Sequence, residues 1–523
     1  MSEAVDRGIT VTEIAAVDQP IEACPETTAA FVGRALRGPL NTPVLVHHFG
    51  DFRRRFGDVW ARSSLGPAVK QFFDHGGKNL YVVRVANNAR GALLCVPAEG
   101  SALVLRAVEP GSTERLRAAV DYDGIEETDA EHFNLTVQRL DPATGLLVDQ
   151  EIFTRVSFLE NAENFVADRL QSSDMVRVEM PFPKHRPEAT TGFSSRYDLR
   201  WLEPVQAGTD GGELTAYDLI GSFERGSGMF ALEQVEHFDL LYLPATGRDI
   251  DAGPAAILAA EMYCRRRGSM LVVDPAPQWQ TVRQVVQGMR DRGYASPNLV
   301  SYFPRLLDRA ATGAAAVGEN AVRAAGGALA GLLCKLDRNY GPWHGLEAGG
   351  LRFQSSLVPE VELDEDEAHN LSRAGVNAVL RGPAGRTRVA GSVTMARGSE
   401  PHRVFKSLSV RRLCLRVVNT IDLATRWAVF EKPDRRLTAR IRGQVLAYLA
   451  TLYDLGALET DRFLVQCDAG LTNRRDRLEH GVTILLVFHP LGSNQPVSFT
   501  LHQTVAGCRV ATTAFAPIAE HCA

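Results

Sequence analysis

The sequence predicts a multidomain protein of mixed α/β and α+β class with extended arms at both ends, and three observations predict it. Strands and helices alternate over residues 29–90 and again over 213–310, the order of a sheet covered by helices. From 91 to about 200, short strands recur between turn signals, the texture of an inserted β-rich module. Near the two ends, Gly8–Ile14 and Pro496–Val505 alternate apolar and polar residues with the period of a strand buried on one face. Neither terminal segment has a neighbour that a tight turn would deliver. Unpaired strand N–H and C=O groups are costly, and an open edge recruits other chains. Terminal strands of this kind add to a neighbour's sheet, so the chain reads as a subunit of a large assembly. Strand addition within one chain is the competing reading.

The elements follow in order. Thr28–Arg34 is a buried strand, Pro43–Val46 a short extended run, and Asp51–Gly57 a helix closed by glycine. Leu65–Phe73 suits a second helix stopped by Gly76 and Gly77, and Asn79–Val85 has the long apolar centre of a central strand. Strands are expected at Ala102–Val108, Phe133–Arg139, Glu151–Phe158 and Met175–Met180, with a turn at Asp141–Gly145. Thr190–Gly212 is polar and reads as a linker or loop. Leu240–Pro244, Ser269–Asp274 and Leu299–Pro304 are buried strands separated by helices Pro254–Arg267 and Thr281–Arg292, a parallel run with right-handed crossovers. The Ala- and Gly-rich stretch 312–335 is a helix or a mobile loop. Glu360–Glu367 places six acids at a helix start, where they favour the dipole. Ser409–Trp427 and Asp434–Leu455 are helices, the second with Leu437, Ile441, Val445, Tyr448, Leu449 and Leu452 at helical spacing. Phe463–Asp468 and Gly481–Phe488 are strands ahead of the final arm.

Composition narrows the function classes. At 523 residues the chain holds several domains of ~100–200 residues each. Its 45% hydrophobic and 23% charged residues are those of an ordinary soluble globular protein. A net charge of −5 argues against nucleic-acid binding, which goes with a basic domain. Eight cysteines are scattered with no CxxC pair, so neither a zinc site nor a redox motif is signalled. No apolar stretch reaches the ~20 residues that span a bilayer.

Enzyme motifs are missing. Gly33–Gly38 is not followed by the Lys-Ser/Thr of a phosphate loop, and Gly221–Glu224 lacks the Gly-x-Ser-x-Gly pattern. Asp274 ends a strand of the parallel run, where ligand sites form in α/β sheets, and is the best candidate for an active-site acid. The plainer reading is an Asp that opens a turn before Pro275. His47, His48, His369 and His480 read as surface or capping residues. No catalytic residue, cofactor or metal ligand is assigned, and the chain is read as a non-enzyme.

Blocks at both ends carry a resemblance. They are Ala30–Pro39, Asp51-Phe52 with Phe56-Gly57, Phe72-Phe73 with Gly76-Gly77, and Tyr81–Val85. They continue through Ala374–Asn377, Val410–Leu413, Trp427–Glu431, Gly456–Leu458 and Val465–Asp468. In their joint order they resemble the sheath proteins of contractile phage tails and related contractile injection systems. A departure is Ala390–Thr394, where the family often has Trp-Gly-Ala-Arg-Thr and only Gly391 and Thr394 agree. The resemblance implies an N-terminal arm at 1–28 and one α/β core domain joining 29–90 to 371–495. Between these would lie an inserted β-rich module at 91–200 and an inserted α/β module at 201–370, and a C-terminal strand and arm at 496–523.

It also implies a structural role: stacked hexameric rings around an inner tube, assembled in the cytoplasm and contracting to drive the tube into a target. The expected partners are other copies of the chain, the tube protein, and baseplate and tail-end cap proteins, with no nucleic acid and no membrane insertion. Ile9, Val11, Ile14, Val497, Phe499 and Leu501 would lace neighbouring subunits together. The helix Asp434–Leu455 would dock on the tube through Lys432, Arg435, Arg436 and Arg440, the last two sharing a face. A solvated basic face is the competing reading there. The competing functions are a hydrolase or ligand-binding protein using the 213–310 sheet, and another tail or baseplate component.

Overall fold

The computed structural model describes residues 21–22, 25–192, 195–247, 250–310, 322–347, 350–382, 385–397, 402–431, 434–467, 481–505 and 507–512. The chain forms two compact units, one of residues 26–411 and one of 412–523 together with 1–25.

The larger unit begins with β1 (Thr28–Gly33), β2 (Pro43–Val46), α1 (Phe49–Phe56), α2 (Leu65–Asp74) and β3 (Asn79–Arg84). The β-rich segment follows: β4 (Leu93–Ala98), β5 (Ser101–Ala107), β6 (Arg115–Asp121), β7 (His132–Leu140), β8 (Leu147–Ser157), α3 (Val166–Arg169), β9 (Val176–Glu179), β10 (Thr191–Gly192) and β11 (Ser195–Leu199). Then come α4 (Ala216–Ile220), β12 (Leu240–Tyr242), α5 (Pro254–Arg267), β13 (Met270–Val273), α6 (Val282–Asp291) and β14 (Leu299–Phe303). The unit continues with β15 (Leu306–Asp308), β16 (Val322–Arg323), α7 (Gly326–Tyr340), β17 (Leu357–Pro359), α8 (Glu365–Ala374), β18 (Asn377–Arg381) and β19 (Thr387–Ala390).

Eight of these strands make one sheet in the order β19-β18-β14-β13-β12-β1-β3-β2. Its six middle strands run parallel, and β19 and β2 close the edges antiparallel. This corrects the expected division of the chain. The strands expected to form a separate module over 201–370 stand in the same sheet as those of 29–90, with β1 hydrogen-bonded between β12 and β3. Residues 371–495 do not act together either: β18 and β19 join this sheet, whereas most of the chain beyond belongs to the second unit. Each parallel crossover brings a helix back over the sheet, so sheet neighbours are chosen by packing and not by closeness in sequence.

Helices cover both faces of the sheet. One face holds a buried cluster with Ile257, Ala260, Val285, Met289, Ala368 and Leu371, drawn from α5, α6 and α8. The other brings α2 against α7. A Cβ at Gly327 would lie 2.4 Å from the Ala68 carbonyl oxygen, and one at Gly331 would lie 2.3 Å from that of Phe72. These glycines let the two backbones touch, which answers the Ala- and Gly-rich composition: most of its described part is a buried helix, and 311–321 lies outside the described residues.

The segment β4–β9 has its own core, with Leu94, Leu105, Leu116, Phe133, Leu135 and Val156 fully or almost fully buried. β4 and β6 had no strand expectation. The polar run 200–212, read as a linker, is instead an extended segment bonded along β4 and β6, through Val205 N to Leu93 O at 2.8 Å and Leu202 N to Ala118 O at 2.8 Å. Its polarity masked a run of isolated β-bridges, to which side chains add: Arg90 N donates to Thr209 Oγ1 at 3.2 Å and Ser112 N to Asp210 Oδ1 at 2.8 Å.

The blocks that carry the resemblance meet one another in space. Arg84, 1% exposed at the end of β3, donates to the carbonyl oxygens of Ala35 (3.1 Å), Gly38 (2.5 Å) and Pro110 (2.7 Å). Glu109, also buried, accepts from Gly38 N at 3.0 Å and pairs with Arg55 at 3.1 Å. Burial pushes the Arg84 guanidinium down to about 10, against the pull of Glu109 and Asp210. The loop after β1 is therefore wrapped around a charge held by backbone carbonyls and by the nearby carboxylates of Glu109 and Asp210. Arg84→Ala is expected to destabilise this unit by ~3–5 kcal/mol, since it removes the donor to the buried carbonyls of Ala35, Gly38 and Pro110. Urea unfolding followed by circular dichroism measures it, and a loss under ~1 kcal/mol would contradict this account.

Asn377 ties the far edge in the same way. Its amide donates to Ser301 O and Val393 O and accepts from Val393 N at 2.8 Å. Gly391 sits at φ +97 with Asn377 Oδ1 3.0 Å from where its Cβ would be. Thr394 Oγ1 donates to Phe405 O at 2.7 Å. The two positions that agree with the family run are thus the ones the backbone needs.

The second unit takes in most of α9 (Leu408–Thr425), with α10 (Arg435–Asp454), β20 (Leu464–Gln466), β21 (Val482–Phe488), β22 (Val497–Thr504) and β23 (Gly507–Thr512). Its strands form one antiparallel sheet in chain order. α10 buries the six apolar residues read from the sequence, at about 1.5–3 kcal/mol per large side chain. Asp434 caps it, accepting from Arg436 N and Leu437 N at 2.8 Å.

Candidate assembly surfaces

The sequence placed the assembly contacts on terminal strands and on one basic helix. Ile9, Val11 and Ile14 lie outside the described residues. The C-terminal strand is described, and it is not an unpaired arm. β22 is bonded along both edges, to β21 from Val482↔Gln503 to Phe488↔Val497 and to β23 from Phe499↔Thr512 to Thr504↔Gly507. Val497, Phe499 and Leu501 are 3%, 2% and 0% exposed, with Phe499 stacked on Phe488 at 6.1 Å. Gln503 Nε2 donates to Asp422 O and Thr425 Oγ1, fastening the strand to α9. These three residues therefore hold the core of their own chain. Only two residues, Val505 and Ala506, separate β22 from β23. They carry none of the Asn-Gly or Gly signals of a hairpin turn, so the partner strand went unseen.

Among the described residues, the edges of this sheet are β20 and β23. β23 is exposed at five of its six positions, and Gly507 begins it at φ +122. A long exposed edge strand is a template for another chain's strand, and β23 takes the place in the candidate interface that the sequence had given to β22.

On α10 the arginines divide. Arg435 and Arg436 are exposed and make no side-chain ion pair among the described residues; Arg442 is exposed one turn further on. Arg440 instead lies over the Trp427 ring at 4.2 Å and is half-buried, a stack that orients the helix start. Lys432 lies outside the described residues. The same outer face continues through Ala439, Gly443, Ala447 and Ala450, all exposed, and a Cβ at Gly443 would meet nothing within 4 Å. Just before the helix Phe430 is 81% exposed. The face is thus charged at one end, flat along its length, and flanked by a bare aromatic ring. Phe430 belongs to a block quoted for the resemblance, yet nothing in its spacing marked it as surface.

Asp274 resolves differently from an active-site acid. Its carboxylate accepts from the Tyr242 hydroxyl and from Gly326 N, at 3.0 Å in the second case, so it caps the start of α7. Burial pushes its carboxyl up and, with the neighbouring carboxylate, pushes the Tyr242 phenol up as well. His48 caps α1, its Nδ1 accepting from Asp51 N at 3.0 Å, His47 meets Asn79 at 3.0 Å, and His369 is exposed; His480 lies outside the described residues. Among the described residues, no group of three or more His, Cys, Asp or Glu side chains is placed to hold a metal ion, and no helix is long and apolar enough to cross a membrane.

No protein-family model matches the sequence, and no curated protein does. Solved structures do match the fold. A sheath tail protein from Listeria innocua aligns at a TM-score of 0.61 with 14% identity, over 93% of this chain and 96% of its own. A sheath tail protein from Desulfitobacterium hafniense aligns at 0.54 with 12% identity, over 95% and 100%. The PVC sheath complex of an extracellular contractile injection system, in its contracted state, aligns at 0.52 with 12% identity, over 99% and 96%. Because these alignments run nearly end to end in both directions, the chain has the fold of the contractile tail sheath proteins.

Proposed function

We propose that this chain is the structural sheath subunit of a contractile tail or injection system. It polymerises as stacked hexameric rings around an inner tube, with baseplate and cap proteins at the ends, and contracts to drive the tube into a target. It assembles in the cytoplasm and acts as part of the finished particle, without catalytic residues or a cofactor. The observation that carries this reading is the match to sheath tail proteins over more than nine-tenths of both chains, at a TM-score of 0.61.

The mechanism is stored conformational energy. The extended lattice is kinetically trapped until a trigger lets one ring turn and shorten. Contracted interfaces bury more apolar surface, and strands shared between subunits pull the next ring along. This calls for bistable interfaces in place of reactive groups. The exposed β23 edge and the flat, arginine-headed face of α10 suit the two contacts required, subunit to subunit and subunit to tube. Negative-stain microscopy of the purified protein tests the reading: striated hollow cylinders are expected, and compact discrete particles would refute it.

A further inference from the structure

A crevice opens at the carboxyl ends of β12 and β13, the place where parallel sheets take their ligands. Leu243, Asp251, Asp274, Arg292, Tyr294 and Arg305 line it. Most of its polar groups are satisfied. Arg292 donates to Asp251 Oδ2 at 2.5 Å, and both oxygens of Asp274 are engaged by Tyr242 and Gly326. Two groups are not. Arg305 is half-buried, and its guanidinium makes no hydrogen bond or ion pair among the described residues, although its charge acts on Asp274 and Tyr242. Tyr294 is 1% exposed, and among the described residues its buried hydroxyl finds no acceptor. Arg292 lies beside that hydroxyl but can only donate, so the phenolic proton lacks an acceptor. Burial pushes the phenol up to about 12, so the proton is present at neutral pH.

Both unmatched groups are donors, and one carries a full positive charge. What these two donors lack is an acceptor. The crevice's cavity volume of about 20 Å³ admits one or two water-sized atoms. That is room for one or two oxygens of an anion whose remainder stays in solvent. We propose that this crevice binds a small oxyanion, a phosphate or a carboxylate, held by the Arg305 guanidinium and the Tyr294 hydroxyl. A water molecule alone would satisfy Tyr294 but would leave the Arg305 guanidinium without a hydrogen-bonded anion.

The test uses the full chain and does not depend on polymerisation. Thermal unfolding is compared in sodium chloride, sodium phosphate and sodium acetate at equal ionic strength. Phosphate or acetate at ~20 mM is expected to raise Tm by about 2 °C over chloride, and whichever does so names the source of the oxyanion. Arg305→Gln is expected to abolish the rise and Tyr294→Phe to weaken binding about tenfold. Should either variant fold poorly, line broadening of the phosphate ³¹P resonance and of the acetate methyl resonance by the unaltered protein decides the matter. The same melting curve in all three salts with no broadening of either ion overturns the proposal, as does a rise that Arg305→Gln leaves intact.

Discussion

Deleting residues 1–16 is expected to leave a folded chain that no longer builds long cylinders. Every described strand of the large sheet and of the C-terminal sheet lies at Thr28 or beyond, so the truncated protein should keep its far-ultraviolet spectrum and its cooperative unfolding. What it loses is the alternating segment with Ile9, Val11 and Ile14. On the proposed reading this segment adds to another copy's sheet. Each added strand brings a row of main-chain hydrogen bonds, and its apolar side chains reach pockets on one face. The effect is multiplied along a polymer, because every ring depends on the same link. Sedimentation should then show short oligomers or monomers, with rare, short cylinders in negative stain. Contractile particles of normal length from the deletion would sink the lacing model while leaving the fold untouched.

The second large effect is expected on the outer face of α10. Arg435→Glu with Arg436→Glu should stop co-assembly with the tube while sheath-only polymers persist. Both side chains are exposed and lack ion pairs among the described residues, so reversing them costs the monomer little. Arg440 is unsuitable for such a change because its stack on Trp427 ties it to the fold. Gly443→Trp is the steric counterpart. A side chain there meets nothing in the monomer, and replacing a helical glycine favours the helix by up to ~1 kcal/mol. The bulky ring should nonetheless hold a docked tube away from the flat stretch Ala439–Ala450. Co-sedimentation of sheath with purified tube reads both. Wild-type attachment should also weaken between ~0.15 and 1 M salt, where screening shortens from about 8 to 3 Å. Undiminished attachment by both variants would place the tube contact elsewhere.

Much of the local structure was legible in the chain itself. α1, α2, α5, α6 and α10 fall where apolar spacing, caps and terminal glycines put them, because helical hydrogen bonds are local and their side-chain period is written in consecutive residues. The strands β1, β3, β12, β13 and β14 were legible for a related reason: a strand buried on both faces needs an unbroken apolar run. The edge elements were harder to see. The extended run 200–212 bonds to β4 and β6, which lie far away in sequence, and its polar side chains hide it. The candidate interface followed the same rule. Arg435 and Arg436 were found by charge, whereas Phe430 and the β23 edge emerged only when their neighbours were in place.

The sequence by itself determined most of the helices and the fully buried strands, the α/β class and the order of blocks that points to a contractile sheath. Only the tertiary structure decided which strands are neighbours: that β1 lies between β12 and β3, that Arg84 is clasped by the loop after β1, and that β22 is a core strand of its own chain. The reason is that residue patterns record which faces are buried, while sheet order and edge pairing depend on contacts between segments tens to hundreds of residues apart, which no local pattern encodes.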